Sequence, residues 1–311
     1  MEGRAALNMM HRISTKREPR LEVLMSWWGM NGLGVQSGSG GEWSLEKKIR
    51  FIAEAGYDGI NGMLPESREA EQWHRLLDQY NLSYSVNAYP KTAEELDVFL
   101  HKAKLFGRVD FINVQVLRPF LAGEQAVQLL ADIGELSRSA GIPAYIETHR
   151  GTITQDLLRT VEYVQRLPGL ELTIDFSHYV VAGEMRTVSD EAEEMLQKLL
   201  HRTKSIHARV SNGEQVQVDV PISERVNEEG AAEYGFEHQM VKRFQNWWLG
   251  GMRSWRQAAQ EGEVLPFVCE LGPPPYAITV QDLNGVQHEV SDRWEQALLF
   301  ARIARSLWEQ V

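Results

Sequence analysis

Glu147, Asp175, His207 and Glu270 are the residues of this chain whose types and spacing could do chemistry. Each stands at the end of a short apolar run, in the strings Ile146-Glu147-Thr148-His149-Arg150, Asp175-Phe176-Ser177-His178, Ile206-His207-Ala208-Arg209 and Cys269-Glu270-Leu271-Gly272. Three carboxylates and an imidazole brought together would hold a divalent cation. Without one, buried carboxylates would protonate or need partners, at a cost of several kcal/mol each. Mixed oxygen and nitrogen ligands suit Mn²⁺, Co²⁺, Mg²⁺ or Zn²⁺ and do not choose among them.

Strand periodicity puts the four on one face. Alternate residues of a strand point to opposite sides. Ala144 and Ile146 oppose Glu147; Leu172 and Ile174 oppose Asp175; Ile206 and Ala208 oppose His207 and Arg209; Phe267 and Cys269 oppose Glu270. If the apolar sets pack on helices, the polar set points the other way, and Cys269 is an apolar filler. The separations are 28, 32 and 63 residues. The first two equal one strand-plus-helix unit, and the third is one unit with a long insertion.

The positioning elements follow. Strand patterns cover Leu21–Ser26, Asp58–Met63, Leu82–Ala88, Val109–Leu117, Pro143–Thr148, Leu170–Phe176, Lys204–Val210 and Val264–Leu271. Helix patterns alternate with them: Leu45–Ala55 after Ser44 as N-cap, Glu66–Gln79, Thr92 as cap of a helix to Phe106, Glu124–Ala140, Gln155–Arg166, Asp190–His201, one starting near Glu237, and Ser291 to about Glu309. Eight strand–helix units predict a single-domain (β/α)8 barrel over residues 21–311, after a polar lead-in of residues 1–20 that is disordered or packed across the barrel bottom. A doubly wound sheet is the competing fold. The glycines of residues 29–34 lack the order of a dinucleotide loop and read as a flexible turn. About 26 residues, Ser211 to Phe236, follow strand seven without a clear pattern and read as a lid or subunit contact.

Composition narrows the partners. The 311 residues carry a net charge of −11, which disfavours nucleic-acid binding. A single cysteine suits a reducing compartment. No apolar stretch is long enough for a membrane span, and the first twenty residues lack a signal-peptide core. A cytoplasmic protein with no membrane partner is expected.

The four strings, with E-T-H-R-G-T and E-L-G-P-P-P-Y around them, resemble the xylose-isomerase-like barrel superfamily over roughly Leu21 to Glu309, in a branch labelled sugar phosphate isomerase/epimerase. The resemblance implies a metal site at Glu147, Asp175, His207 and Glu270, a substrate-binding role for His178, and a homodimer or homotetramer. Thr148-His149-Arg150 departs from the ketose 3-epimerase wording after the first ligand, and the second-metal aspartates of the xylose isomerases proper are not evident.

The expected activity is isomerisation or epimerisation of a ketose or keto-sugar through an enediolate. Glu147 and Glu270 would move the proton, and Arg209 or Arg150 would neutralise the oxyanion. His149, His178, Trp27, Trp28, Asn113 and Gln115 would line the substrate. A lyase, either a dehydratase or a 3-keto-glycoside eliminase, would share the enolate and use His149 as general acid. A non-catalytic sugar-binding or scaffold barrel is the third reading.

Overall fold

The computed structural model describes residues 18–34, 41–220 and 236–311. Most of the polar lead-in and residues 221–235 of the long connection, with the expectations that fall on them, lie outside the described residues.

Eight parallel strands close into a barrel in chain order. They are β1 (Arg20–Ser26), β2 (Gly59–Gly62), β3 (Ser83–Ala88), β4 (Ile112–Val114), β5 (Ala144–Glu147), β6 (Leu172–Ile174), β7 (Thr203–Ala208) and β8 (Val264–Cys269), with β8 pairing back onto β1. The helices of the barrel wall are α1 (Leu45–Glu54), α2 (Ala70–Tyr80), α3 (Ala93–Phe106), α4 (Gly123–Ala140), α5 (Leu157–Arg166), α7 (Asp190–Leu200), α8 (Phe236–Ala258) and α9 (Arg293–Trp308). A short α6 (Ser177–Ala182) follows β6 before α7, and a small hairpin, β9 (Thr279–Gln281) and β10 (Gln287–Glu289), follows β8. Neither was legible in the sequence.

Local chemistry sets the boundaries. The side chains of Ser44, Thr92, Asp156, Ser189 and Asp292 each accept a backbone N–H at a helix start. Asp156 as cap moves the start of α5 two residues beyond the sequence reading. Strand β4 is shorter than its apolar run, because only Ile112–Val114 is paired on both sides. The run after Met63 opens with a 3-10 turn, Ser67–Glu69, before α2.

The core splits as the alternation requires. Ile146, Leu172, Ile174, Ile206, Ala208, Phe267 and Cys269 join the cluster between strands and helices. Inside the barrel, Leu24, Phe111 and Val268 pack with Tyr145 as an apolar plug. Beyond that plug the interior is polar and buried: Asn61, Ser85, Asn87, Asn113, Glu147, Thr173, Asp175, His207 and Arg209. Part of the long connection is ordered. Val218 N–H donates to the Val210 carbonyl, Gln217 exchanges hydrogen bonds with the Gly272 backbone, and Val220 does so with the Gln296 side chain. Residues 211–220 thus form a strap that buttresses the loop after β8, and are not a free lid. Among the described residues no helix is long and apolar enough to cross a membrane.

Candidate metal centre

Strand register carries Glu147 and His207 to the inner face at the same end of the barrel, and Glu270 follows β8 by one residue. Donor atoms of Glu147, His207 and Glu270 all lie within 4.8 Å of one another. His207 Nδ1 stands 3.2 Å from Glu270 Oε2 and 3.7 Å from Glu147 Oε1. These contacts attract electrostatically but do not have hydrogen-bond geometry: both His207 ring nitrogens and Glu147 Oε1 are buried without a hydrogen-bond partner. Buried polar atoms are almost always paired. An unpaired Glu147 oxygen and an unpaired His207 nitrogen, converging with a Glu270 oxygen, therefore fit a divalent cation held by Glu147, His207 and Glu270.

Asp175, the fourth expected ligand, is engaged by protein. Its Oδ1 accepts from Ser177 N–H and Oγ–H, at 3.0 and 2.6 Å, and its Oδ2 accepts from Arg209 Nη1 at 2.9 Å. Thr148 Oγ1 ties the Asp175 backbone down by accepting from its N–H and donating to its carbonyl. The structure thus brings Asp175 to the site's edge, bound to Arg209. His178 Nε2 lies 3.4 Å from Asp175 Oδ2, and the His178 ring packs 3.7 Å from the ring of His149. Glu147, His149 and His178 also have donor atoms within 4.8 Å of one another.

A polar ladder orients Glu147. Asn61 donates to Ser85, Asn87 to Asn61, and Asn113 to Asn87. Asn113 and Gln115 both donate to Glu147 Oε2, Gln115 at 2.8 Å. That oxygen is pinned and Oε1 is left open. Asn113 was expected to touch substrate, but it is fully buried behind Glu147. Asn61 and Asn87 were missed. Their alternation on adjacent strands is the signal that could have found them.

Electrostatics follow from burial. Desolvation pushes the Glu147 carboxyl up, but His207 and the Asn113 amide outweigh it and hold it at about 2. Burial alone would lower His207; Glu270 and Glu147 raise it to about 10. Burial and the neighbouring carboxylates push Asp175 up to about 7, against the pull of Arg209. Burial lowers His149, so its imidazole is neutral, and its Nδ1 donates to the Arg150 carbonyl.

A cavity of about 270 Å³ opens over this floor, lined in part by Trp27, Trp28, Met63, Tyr89, Gln115, His149, Arg209, Glu270 and Tyr276. Trp27, Trp28, Gln115, His149 and Arg209 were expected there. His178 lies beneath His149 with no exposed surface, and Arg150 packs 5.2 Å from the Tyr276 ring centroid. Met63, Tyr89 and Tyr276 were missed, since they come from loops with no periodicity. A separate depression of about 1010 Å³ lies at the opposite end of the barrel, near Arg20, Tyr145 and Glu263.

Known proteins match this architecture. A family described as xylose isomerase-like TIM barrel matches residues 49–240. No curated protein matches the sequence. Among solved structures, a xylose isomerase-like TIM barrel protein from Mycobacterium smegmatis in complex with magnesium is 14% identical, with 93% of this chain and 97% of that one covered at a TM-score of 0.55. The probable 3-DHS dehydratase AsbF of Bacillus anthracis is 16% identical, with 82% and 94% covered and a TM-score of 0.50. An AP endonuclease of family 2 from Brucella melitensis is also 16% identical over the same shares, at 0.47. At these identities the likeness is one of fold. The family match spans well over half of the chain, and with the closed eight-stranded barrel it shows that the chain belongs to the xylose isomerase-like TIM barrel family.

Proposed function

We propose that this protein is a divalent-metal-dependent isomerase or epimerase that acts on a ketose or keto-sugar by removing the proton beside its carbonyl. The observation that carries the reading is the convergence of unpartnered, buried Glu147 and His207 atoms with Glu270 at the floor of a sugar-sized cavity. A bound divalent ion would supply Lewis acidity to a carbonyl oxygen and to the negative charge that grows on it. The magnesium complex of the Mycobacterium smegmatis barrel supports a metal in this fold.

The chain's own groups divide the remaining work. Asn113 and Gln115 hold one Glu147 oxygen, so the carboxylate cannot swing. Glu270 faces the cavity and its Oε2 accepts from Arg209 Nη2 at 2.7 Å, which fixes its plane. His149 is neutral, its Nδ1 proton is committed to a carbonyl, and its ring lines the cavity, so Nε2 is free to accept a proton and return it.

That placement also favours a second reading, a lyase. A single imidazole could take the proton and then protonate a leaving group at the neighbouring carbon. Incubation with ketoses and 3-keto-glycosides in D₂O separates the two. Deuterium in recovered or isomerised sugar is expected for the isomerase; release of water or an aglycone establishes the lyase. Elemental analysis comes first: well under one metal per chain, not restored by Mn²⁺, Co²⁺, Mg²⁺ or Zn²⁺, refutes the metal site.

A further inference from the structure

We propose that the cavity selects an uncharged, unphosphorylated monosaccharide ring, gripped by Trp28 and Tyr276, and turns phosphorylated sugars away. The proposal rests on the metal-dependent sugar chemistry above and names the substrate class of the same site.

A phosphate dianion is held by free N–H donors: arginine forks, lysines or helix N-termini. Among the described residues lining the cavity, Arg209 is the cation, and each of its three nitrogens already donates to protein. Nε donates to the Glu270 carbonyl at 3.1 Å, Nη1 to Asp175 Oδ2 at 2.9 Å, and Nη2 to Glu270 Oε2 at 2.7 Å. Tyr276 and Trp28 pack together on one side of it, at 4.9 and 5.9 Å from ring centroid to guanidinium carbon. Arg209 is 1% exposed. A buried arginine whose every nitrogen already donates to a carboxylate or a carbonyl is a structural ion, not a phosphate receptor.

The charge of the whole centre points the same way. With Glu147, Asp175 and Glu270 ionised, Arg209 and one divalent ion bring the sum to zero. No surplus positive charge is left to offset the desolvation of a dianion. Of the nearby cations, Arg150 lies against the Tyr276 ring and Lys48, 5.4 Å from the Trp27 ring, is paired with Glu42 at 2.6 Å; neither is among the lining residues.

The walls instead suit an apolar ring face. Trp28 and Tyr276 stand edge to face, 4.9 Å apart at 86°. Trp28 is seated against Gly272, where a Cβ would come within 1.9 Å of its ring. Tyr89 and Met63 continue the apolar wall at the lip, 42% and 50% exposed. The volume of about 270 Å³ accommodates one hexose or pentose ring. The hydroxylated edge would then face Glu270, His149 and Gln115, and the C–H face would rest on the aromatics.

The test uses full-length, Mg²⁺-loaded protein. Tryptophan fluorescence and thermal shift are titrated with D-xylose, D-glucose, D-fructose and D-psicose, and with the phosphate esters of the same sugars. At least one neutral sugar is expected to bind tenfold or more tightly than its ester. Trp28→Leu and Tyr276→Leu, made separately, are each expected to weaken that binding about tenfold while metal stoichiometry stays at the wild-type value. An ester that binds as tightly as its parent sugar, or loaded protein that binds no neutral sugar, overturns the proposal. Metal content measured on the same samples separates the two readings. Protein that takes up no metal refutes the functional assignment, whereas loaded protein that prefers esters refutes the proposal alone.

Discussion

Replacing Arg209 by methionine tests the electrostatic account of the centre. The guanidinium is buried and bridges Asp175 at 2.9 Å and Glu270 at 2.7 Å. Removing one partner of a buried ion pair costs about 3–5 kcal/mol, mostly because the other charge is stranded. Unfolding entropy near 2.1 cal/mol/K per residue converts that loss, for 311 residues, to a drop in melting temperature of about 5–8 °C. Arg209 lowers the pKa of both carboxyls, so both folded-state values rise in the variant: Asp175 from about 7, already above its unfolded value near pH 4, and Glu270 from below its ordinary value. A carboxyl whose pKa is raised on folding takes up a proton more readily in the folded state. The deficit should therefore be smallest below about pH 4 and grow as pH rises through the raised folded-state values. Differential scanning calorimetry in EDTA from pH 4 to 8 reads both effects, and adding Asp175→Asn should restore part of the loss. A melting temperature at pH 7.5 within about 2 °C of wild type, or a deficit that does not change with pH, would falsify the reasoning.

The remaining predictions concern the ligands and their supports. His207 is raised to about 10 and must be neutral to ligate, so apparent metal affinity should climb about tenfold per pH unit between pH 6 and 9, with one proton released per ion. Calorimetric titration in buffers of different ionisation enthalpy counts that proton, and a flat profile would remove His207 from the site. Asn113→Leu takes a donor from Glu147 and should cost about 1–3 kcal/mol in urea denaturation, with weaker metal binding; stability and affinity both unchanged would contradict the ladder. Gly272→Ala must push Trp28 aside and should cost about 1–3 kcal/mol, with a shift in tryptophan emission. An unaltered spectrum would show that Trp28 does not pack there. Thr92→Ala should cost about 1 kcal/mol through loss of the α3 cap, read by thermal melting.

Much of the site was legible because strand alternation is a rigid rule. The apolar partners of Glu147, His207 and Glu270, such as Ile146, Ile206 and Cys269, had to face the helices, so the polar residues had to face inward. Thr92 and Ser44 announced α3 and α1 because a side-chain oxygen before a helical pattern has one obvious use. Other features had no local signal. Tyr276 and Tyr89 reach the cavity from loops, and Gln217 supports the loop of Tyr276 across 55 residues. The short α6 after Asp175 gave no periodicity to read, having only six residues. Asn113 and Gln115 were placed on the correct face, but whether each touched ligand or another side chain depended on depth in the barrel, which alternation does not encode.

The sequence by itself determined the element order, the facing of each strand and hence which polar side chains share the barrel mouth, since those follow from backbone geometry and from the need to bury apolar surface. Only the tertiary structure decided how those side chains divide the work. It spent Arg209 on Asp175 and Glu270, pinned one oxygen of Glu147 on Asn113 and Gln115, buried His178 beneath His149, and left the His207 nitrogens without a partner. The physical reason is that hydrogen bonding and charge pairing depend on ångström-scale distances between residues far apart in the chain, and closure of the barrel sets those distances.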